Sequence, residues 1–204
     1  MATTIDGAAK PKVRPRNSKA TKELLLAAAG EEFSEYGLAG ARIDRIAERA
    51  GANKRLLYVY FGDKDQLFDT VLARHIEALM ASIPLKDGDL TAFAAARFDF
   101  MLANPQVSRL SSWRILERSE PTEAERQTFE ERVVSVAAAQ EAGRIRADIP
   151  AIDLFAIVMR MTDSWLSAPA ALRAVAGEDP MSPRRLREHR AALLAAVCSV
   201  TAPA

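Results

Sequence analysis

Apolar residues recur at steps of three and four from Thr21 to the end of the chain, and this spacing constrains the fold more than any other feature. Leu25, Ala29 and Phe33 form the first series, which places them on one side of a helix. Alanine, leucine, arginine and glutamate dominate, whereas β-branched residues never form the alternating runs typical of strands. The sequence therefore predicts an all-α fold.

Glycines and prolines divide this helical pattern into separate elements. Gly37, Gly51 and Gly62 each follow an amphipathic stretch and predict the ends of the first three helices. Later prolines and glycines separate further helical stretches, which makes about nine helices in all. The predicted helices cover approximately residues 21–36, 42–50, 53–61, 63–83, 89–103, 105–119, 122–142, 151–168 and 182–200.

Composition excludes several classes of protein. Hydrophobic residues make up 49% of the 204 residues and charged residues 27%, which suits a globular protein rather than a disordered or fibrous one. The single cysteine, Cys198, cannot form an intrachain disulfide, as expected in a reducing compartment. No apolar run reaches membrane-spanning length and no secretion signal is recognisable, so we expect a cytoplasmic protein without a membrane partner.

Positive charge is concentrated at one end of the chain. The net charge is only +1, yet residues 1–62 hold eleven Lys and Arg against seven Asp and Glu. Residues 1–20 are especially basic and lack apolar periodicity, so we interpret them as a disordered basic arm. Such an arm either touches DNA phosphates or is an ordinary solvated terminus, and the sequence leaves both possibilities open.

Two short helices joined at Gly51-Ala52 predict a helix-turn-helix. The second opens with Asn53, Lys54 and Arg55, and Tyr58 follows one turn later. A major groove admits one α-helix, whose first turn meets base edges while nearby cations and hydroxyls hold phosphates. The alternative is a helix corner with surface lysines, which many helical proteins carry without ever meeting nucleic acid.

Residues 21–71 resemble the N-terminal domain of the tetracycline-repressor (TetR) family. The resemblance rests on three strings, Phe-Ser-Glu-Tyr-Gly over 33–37, Ile-Asp-Arg-Ile-Ala-Glu-Arg-Ala-Gly over 43–51, and Leu-Tyr-Val-Tyr-Phe-Gly-Asp-Lys-Asp-Gln-Leu over 57–67. The remainder of the chain resembles the family only in its architecture. We accordingly divide the chain into the basic arm over 1–20, a three-helix helix-turn-helix domain over 21–66, and an effector-binding and dimerisation domain over 67–204.

The resemblance implies which residues meet DNA. Lys54, Tyr58, Tyr60 and Lys64 fall where family members touch phosphates or bases. Further candidates specific to this sequence are Arg42, Arg45, Asn53 and Arg55. Two positions depart from the family pattern, because Ala41 replaces a threonine that commonly caps the second helix, and Glu32 stands where an apolar residue is common.

The resemblance also implies a C-terminal pocket for a small effector. The helix over 89–103 is apolar on nearly every side, which predicts a central, buried position. The predicted effector-binding residues are Phe93, Arg97, Met101, Trp113, Phe129, Phe155, Met159 and Asp163. We expect an apolar or aromatic compound oriented by Arg97, Arg114 or Asp163. The alternative is that these side chains are plain core and Asp163 pairs with an arginine.

The helix over 151–168 carries two apolar stripes and therefore needs two partners. One stripe can pack within its own domain and the other on a second copy, which gives a two-fold dimer. The predicted interface residues are Leu154, Val158, Met161, Trp165, Leu186, Leu193, Leu194 and Val197. A monomer whose own helices cover both stripes is the alternative.

These features together predict a dimeric regulator that binds a palindromic operator in double-stranded DNA and leaves it when a hydrophobic or aromatic effector binds. A repressor is the leading hypothesis. The alternatives are a transcriptional activator and a helical ligand-binding or protein-interaction module without operator binding. His75, His189 and Cys198 show no metal-ligand spacing, and no catalytic set is recognisable, so we expect neither an enzyme nor a metal or cofactor.

Overall fold

The computed structural model describes residues 15–117, 120–121, 123–177 and 179–203. This part of the chain forms ten helices and no strand, which confirms the all-α prediction. The helices are α1 (Pro15–Gly40), α2 (Ile43–Arg49), α3 (Lys54–Phe61), α4 (Lys64–Ser82), α5 (Leu90–Ala103), α6 (Pro105–Glu117), α7 (Glu123–Glu141), α8 (Ala151–Thr162), α9 (Ala170–Ala174) and α10 (Pro183–Thr201). The chain divides into two compact units after Val71. Within the ranges described, none of the helices combines the length and the apolar character needed to cross a membrane.

Helix ends differ from the predictions at two places. Helix α1 begins at Pro15, ahead of the predicted start at Thr21, and the rest of the predicted arm, residues 1–14, lies outside the described residues. Helix α8 ends at Thr162 rather than near residue 168, because the Thr162 hydroxyl donates to the Met159 carbonyl at 2.6 Å. The Asp163 N–H then bonds to the Arg160 carbonyl instead, which tightens the last turn. The short helix α9 is the addition to the nine predicted.

The first unit is a small helical core built on α1. The rings of Phe33 and Phe68 meet edge to face at 4.9 Å, and both side chains are fully buried. Leu25 of α1, Ile46 of α2 and Leu57 of α3 are also among the largest fully buried side chains. A positive φ of 65° at Gly37 interrupts α1 where the sequence predicted its end.

The second unit is organised around α5. This helix packs on α8 and α10, and α7 packs on α8. Its buried residues are Leu90, Phe93, Ala94, Arg97, Phe98 and Met101. The central, buried position predicted for this helix is therefore confirmed.

Candidate nucleic-acid interface and internal cavity

Helix α3 is anchored on one side and displayed on the other. Leu57 and Phe61 are buried in the first unit. The Asn53 side chain caps the helix by accepting a hydrogen bond from the Arg55 N–H at 2.8 Å. The exposed residues of this element, which we call the α3 surface, are Asn53, Lys54, Arg55, Tyr58 and Val59. Four of these five were predicted from the sequence to meet DNA.

Val59 is the member of the α3 surface that the sequence did not single out. Its side chain is 65% exposed beside Tyr58, which is 50% exposed. An aliphatic side chain at this place suits the methyl group of thymine in a major groove. The signal available beforehand was its spacing, since Val59 follows Arg55 by one helical turn and therefore shares its side of α3.

Lys54 lies on the α3 surface with an acidic partner. Its ammonium is 2.7 Å from a carboxylate oxygen of Asp44 in α2, and both side chains are about half exposed or more. This hydrogen bond and the charge of Asp44 raise the pKa of Lys54, and the same contact lowers the pKa of Asp44. Water and salt screen an exposed pair of this kind, so it does not prevent Lys54 from exchanging Asp44 for a phosphate.

Two further predicted DNA contacts, Lys64 and Tyr60, are partly engaged within the first unit. The Lys64 ammonium donates to the Ala41 carbonyl at 3.3 Å, which links the start of α4 to the segment before α2. Tyr60 is half-buried, and its ring lies 6.2 Å from the ring of Phe61.

Arg45, another predicted DNA contact, makes several contacts within the first unit. Its guanidinium Nε donates to the Glu32 carboxylate at 2.7 Å, and an Nη donates to the Gly40 carbonyl at 3.0 Å. The guanidinium carbon also lies 4.3 Å from the centre of the Tyr36 ring. The structure therefore gives Arg45 a role inside the unit, where it holds α1 against α2. Sequence reasoning missed this role because Glu32 lies thirteen residues away.

Glu32 also binds a backbone donor at the start of α2. Helix α2 has Arg42 at its N-cap, and no side chain at that position accepts a backbone hydrogen bond. Instead, the fully buried Glu32 carboxylate accepts the Arg42 N–H at 2.9 Å. A carboxylate from α1 thus satisfies the N–H of the N-cap residue itself, whereas a capping threonine binds an N–H two or three positions later. The Arg42 side chain remains exposed.

The ionisation of Glu32 depends on Arg45. Burial alone would raise the pKa of Glu32, but hydrogen bonds from Arg45 and Arg42 together with the charges of Arg45 and Arg49 hold it below its ordinary value of 4.5. In the wild type, Glu32 therefore contributes stability that is present above that value and is lost as pH falls through the lower folded pKa.

Replacing Arg45 with alanine is expected to reverse this dependence. Without the guanidinium, burial dominates and raises the pKa of Glu32, so its contribution to stability falls as pH rises above 4.5. Urea unfolding followed by tyrosine fluorescence at several pH values measures the result. The stability difference between the wild type and Arg45→Ala should widen with pH, whereas Arg55→Ala, which removes an exposed guanidinium from α3, serves as the control. A difference that is constant with pH would contradict this role of Arg45.

The second unit contains a cavity of about 550 Å³. This volume lies within the usual range for small-molecule sites. Five of the predicted effector residues line it, namely Arg97, Met101, Phe129, Met159 and Asp163. The other three do not. Phe93 and Phe155 are buried with their rings 5.4 Å apart, and Trp113 is absent from the walls.

Two nearly buried ion pairs lie in the cavity wall. Arg97 donates to both Asp163 carboxylate oxygens at 2.9 and 3.1 Å and to the Thr162 hydroxyl at 2.8 Å. Arg114 pairs with Glu125 at 3.0 Å. The expectation that Asp163 pairs with an arginine is confirmed, and the pair still faces the cavity. Sequence reasoning missed the apolar wall from α4 and α6, which consists of Leu72, Ile76, Leu79, Met80, Val107 and Leu110.

The predicted dimer residues lie mainly on the inner side of α8 and α10. Leu154, Val158 and Val197 are fully buried within one chain, and Leu193 and Trp165 are buried as well. Choosing these five as interface residues is wrong, because their own chain already covers them. The leucines and valines pack in the core around α5, and Trp165 packs on His189 and Arg185 of α10. Met161, Leu186 and Leu194 are only partly buried.

The outward sides of α8 and α10 also carry apolar residues, but these are not the ones predicted to form the interface. Ile152 and Ile157 on α8 are 61% and 43% exposed. The exposed small residues of α10 are Ala191, Ala192, Ala195 and Ala196. Helices with small and aliphatic side chains outward are suited to close packing against another helix pair.

Among the residues that the structure describes, no cluster of three or more His, Cys, Asp or Glu side chains is arranged to hold a metal ion.

Comparisons with known proteins connect both units to one family. Residues 25–71 match the family of bacterial regulatory proteins, tetR family, and residues 89–198 match the tetracyclin repressor-like, C-terminal domain. The HTH-type transcriptional repressor SCO4008 of Streptomyces coelicolor is 38% identical over 166 residues, which cover 79% of this chain and 86% of the relative. The HTH-type transcriptional activator FasR of Mycolicibacterium smegmatis is 38% identical over 93 residues, 42% of each chain. The crystal structure of the transcriptional regulator SCO4942 from Streptomyces coelicolor matches with a TM-score of 0.81 at 31% identity, covering 90% of this chain and 99% of that one.

Proposed function

The chain belongs to the TetR family of DNA-binding transcriptional regulators. We propose that it acts as a homodimeric repressor that dissociates from its operator when a small molecule binds. The observation that carries this proposal is the exposure of the α3 surface. Leu57 and Phe61 are buried and fix α3 in the first unit, so the polar and aromatic side chains of the α3 surface face outward. Repression is favoured over activation by the match to SCO4008, which spans most of both chains, whereas the match to FasR covers 42% of each.

The α3 surface is proposed to enter the major groove. Asn53, Arg55 and Tyr58 lie at or near its first turn and are suited to base edges. Lys54 and Lys64 supply charge for phosphates, as does the exposed Arg42. Arg45 is assigned a supporting role because its guanidinium already binds Glu32. A regulator of this kind shares a compartment with its operator, and for a bacterial chromosome that compartment is the cytoplasm.

The homodimer is proposed to form through the outward sides of α8 and α10. Ile152, Ile157 and the exposed alanines of α10 present apolar surface that a second copy of the same helices would cover. A two-fold pair of α3 helices then meets half-sites separated by roughly 34–36 Å, one turn of DNA.

Release is proposed to act through α4. This helix begins at Lys64, next to α3, and contributes Leu72, Ile76 and Leu79 to the cavity wall. A ligand that displaces this wall shifts α4 and changes the separation of the two α3 helices. A coupling of about 1–3 kcal/mol between the sites would weaken operator binding roughly 5- to 150-fold.

Replacing Lys54 with alanine is expected to weaken binding to all DNA sequences alike, because a phosphate contact carries no sequence information. The slope of log affinity against log salt concentration should fall by about one unit. Gel-shift titration at several salt concentrations measures both, and Lys86→Ala, an exposed lysine in the loop before α5, is the control. A changed sequence preference with an unaltered slope would instead assign Lys54 to base recognition.

The proposed function itself is tested with DNA from upstream of the gene. Retardation at low salt and its reversal by a cavity ligand would support a regulator released by an effector. A reporter gene distinguishes repression from activation, because the deletion of a repressor raises expression. Absence of retardation at any salt concentration would overturn the proposal and favour a helical module without operator binding.

A further inference from the structure

Arg132 on α7 is a buried arginine without an acidic partner among the described residues. It is 8% exposed, and its guanidinium donates to the Ile83 carbonyl at 2.8 Å and the Met80 carbonyl at 3.3 Å, at the end of α4. The guanidinium carbon lies 5.3 Å from the centre of the Phe93 ring. Burial and the nearby charge of Arg97 both lower the pKa of Arg132. Carbonyl groups satisfy donors but leave the positive charge uncompensated.

This unbalanced charge lies outside the wall of the 550 Å³ cavity but lines a small void that shares wall residues with it. A void of about 10 Å³ lies beside Arg132, and its walls include Arg97, Met80 and Met159, which also line the 550 Å³ cavity. The void holds little more than one water molecule. Methionine side chains have three rotatable bonds, so rotation of Met80 and Met159 is the least costly way to join the two spaces.

The buried ionic groups around these two spaces have a positive surplus. Arg97 pairs with Asp163, and Arg114 pairs with Glu125. Arg132 therefore supplies one positive charge that no carboxylate of the wall offsets. A cationic ligand would add to this surplus, whereas an anionic group would neutralise it in a region of low dielectric constant, where ionic interactions are strong.

We infer that the effector is an apolar organic acid, whose carboxylate binds Arg132 and Arg97 while its hydrophobic body fills the cavity between α4 and α6. The inference rests on the proposed function, since it names the chemical class of the small molecule that acts there. On binding, the carboxylate takes the place of Asp163 as the anionic partner of Arg97. The apolar wall of Leu72, Ile76 and Leu79 receives the hydrophobic body.

Matched ligands that differ only in their head group test this inference. The aromatic set is biphenyl-4-carboxylate, biphenyl-4-carboxamide and biphenyl-4-methylammonium, and the aliphatic set is decanoate, decanamide and decylammonium. Isothermal titration calorimetry at pH 7.5 measures the affinity of the full-length protein for each. In at least one set, the carboxylate is expected to bind about 10- to 100-fold more tightly than the carboxamide, because hydrogen bonds to an ionised group are stronger than those to a neutral one. The ammonium compound is expected to bind most weakly.

Two variants connect the preference to the named residues. Arg132→Gln retains an amide donor for the carbonyls of α4 but removes the charge, so the affinity for the carboxylate should fall to that for the carboxamide. Asp163→Asn frees Arg97 from its carboxylate and should raise the affinity for the acid. Arg126→Gln on the same helix, where the side chain is 57% exposed, is the matched control and should leave the acid preference unchanged.

Three outcomes would overturn the inference: in both sets, a carboxamide or ammonium that binds as tightly as its carboxylate; no carboxylate binding in either set; or an acid preference that persists in Arg132→Gln. The ranking of the ligands on the wild type and the gain in Asp163→Asn decide the matter even if Arg132→Gln does not fold. Gel shifts on the same wild-type protein distinguish a failure of this inference from a failure of the proposed function. Acid preference without DNA retardation would refute the proposed function alone, and DNA retardation without acid preference would refute this inference alone.

Discussion

Replacing Ile157 with glutamate is expected to separate the proposed homodimer into monomers and to weaken operator affinity by about 10²- to 10⁴-fold. Ile157 is 43% exposed on the outward side of α8, where the proposed partner would bury it. A carboxylate at this position would have to lose its hydration against apolar residues of the second copy, which is strongly unfavourable. Each separated monomer would then hold one half-site, without the gain in affinity that comes from linking two binding events.

Analytical ultracentrifugation and gel shifts measure the two parts of this prediction. Val134→Glu is the matched control, because Val134 is an aliphatic residue that is 67% exposed on α7, outside the proposed interface. The control should sediment as the wild type does. If Ile157→Glu remains dimeric with unaltered operator affinity, the outward side of α8 is not the interface.

Replacing Phe68 with alanine is expected to destabilise the first unit by about 3–5 kcal/mol. Phe68 is fully buried and meets the Phe33 ring at 4.9 Å, so its removal leaves a cavity between α4 and α1 and also removes an aromatic pair. This loss is a large fraction of the stability of a small domain. Operator binding should therefore be lost at temperatures at which the wild type still binds.

The aromatic residues allow the two units to be followed separately. All three tyrosines, Tyr36, Tyr58 and Tyr60, lie in the first unit, and both tryptophans, Trp113 and Trp165, lie in the second. In Phe68→Ala, the tyrosine signal should unfold at a lower urea concentration, while the tryptophan transition should change much less. Leu24→Ala, at a residue that is 57% exposed on α1, should alter stability by no more than about 0.5 kcal/mol. A Phe68→Ala transition that coincides with that of the wild type would exclude this core contact as a main source of stability.

The fold was predictable because its signals are local. Gly51 and Gly62 adopt positive φ values and follow α2 and α3 as the sequence predicted. The display of Lys54, Arg55 and Tyr58 on α3 followed from the same helical periodicity that buries Leu57. Each of these inferences depends on residues within a few positions of one another.

The features that local patterns did not reveal depend on distant residues. Arg45 forms its ion pair with Glu32, in another helix, and this pairing has no local signature. Both stripes of α8 are apolar, and only the packing of α5 shows that Leu154 and Val158 form the inner one. The early end of α8 arises from one hydroxyl, that of Thr162, which takes a carbonyl from the helix. Side-chain competition of this kind has no periodic signature.

Because α3 is short, one copy of the chain can contact only a few base pairs of DNA. A helix of eight residues rises about 12 Å, which spans about four base pairs at 3.4 Å each. In the proposed homodimer, two copies would together inspect about eight base pairs. A string of that length arises by chance about once in 65,000 positions, whereas a genome offers roughly 10⁶ or more competing sites. Target choice in this protein must therefore also depend on the spacing between half-sites and on how readily the intervening DNA deforms.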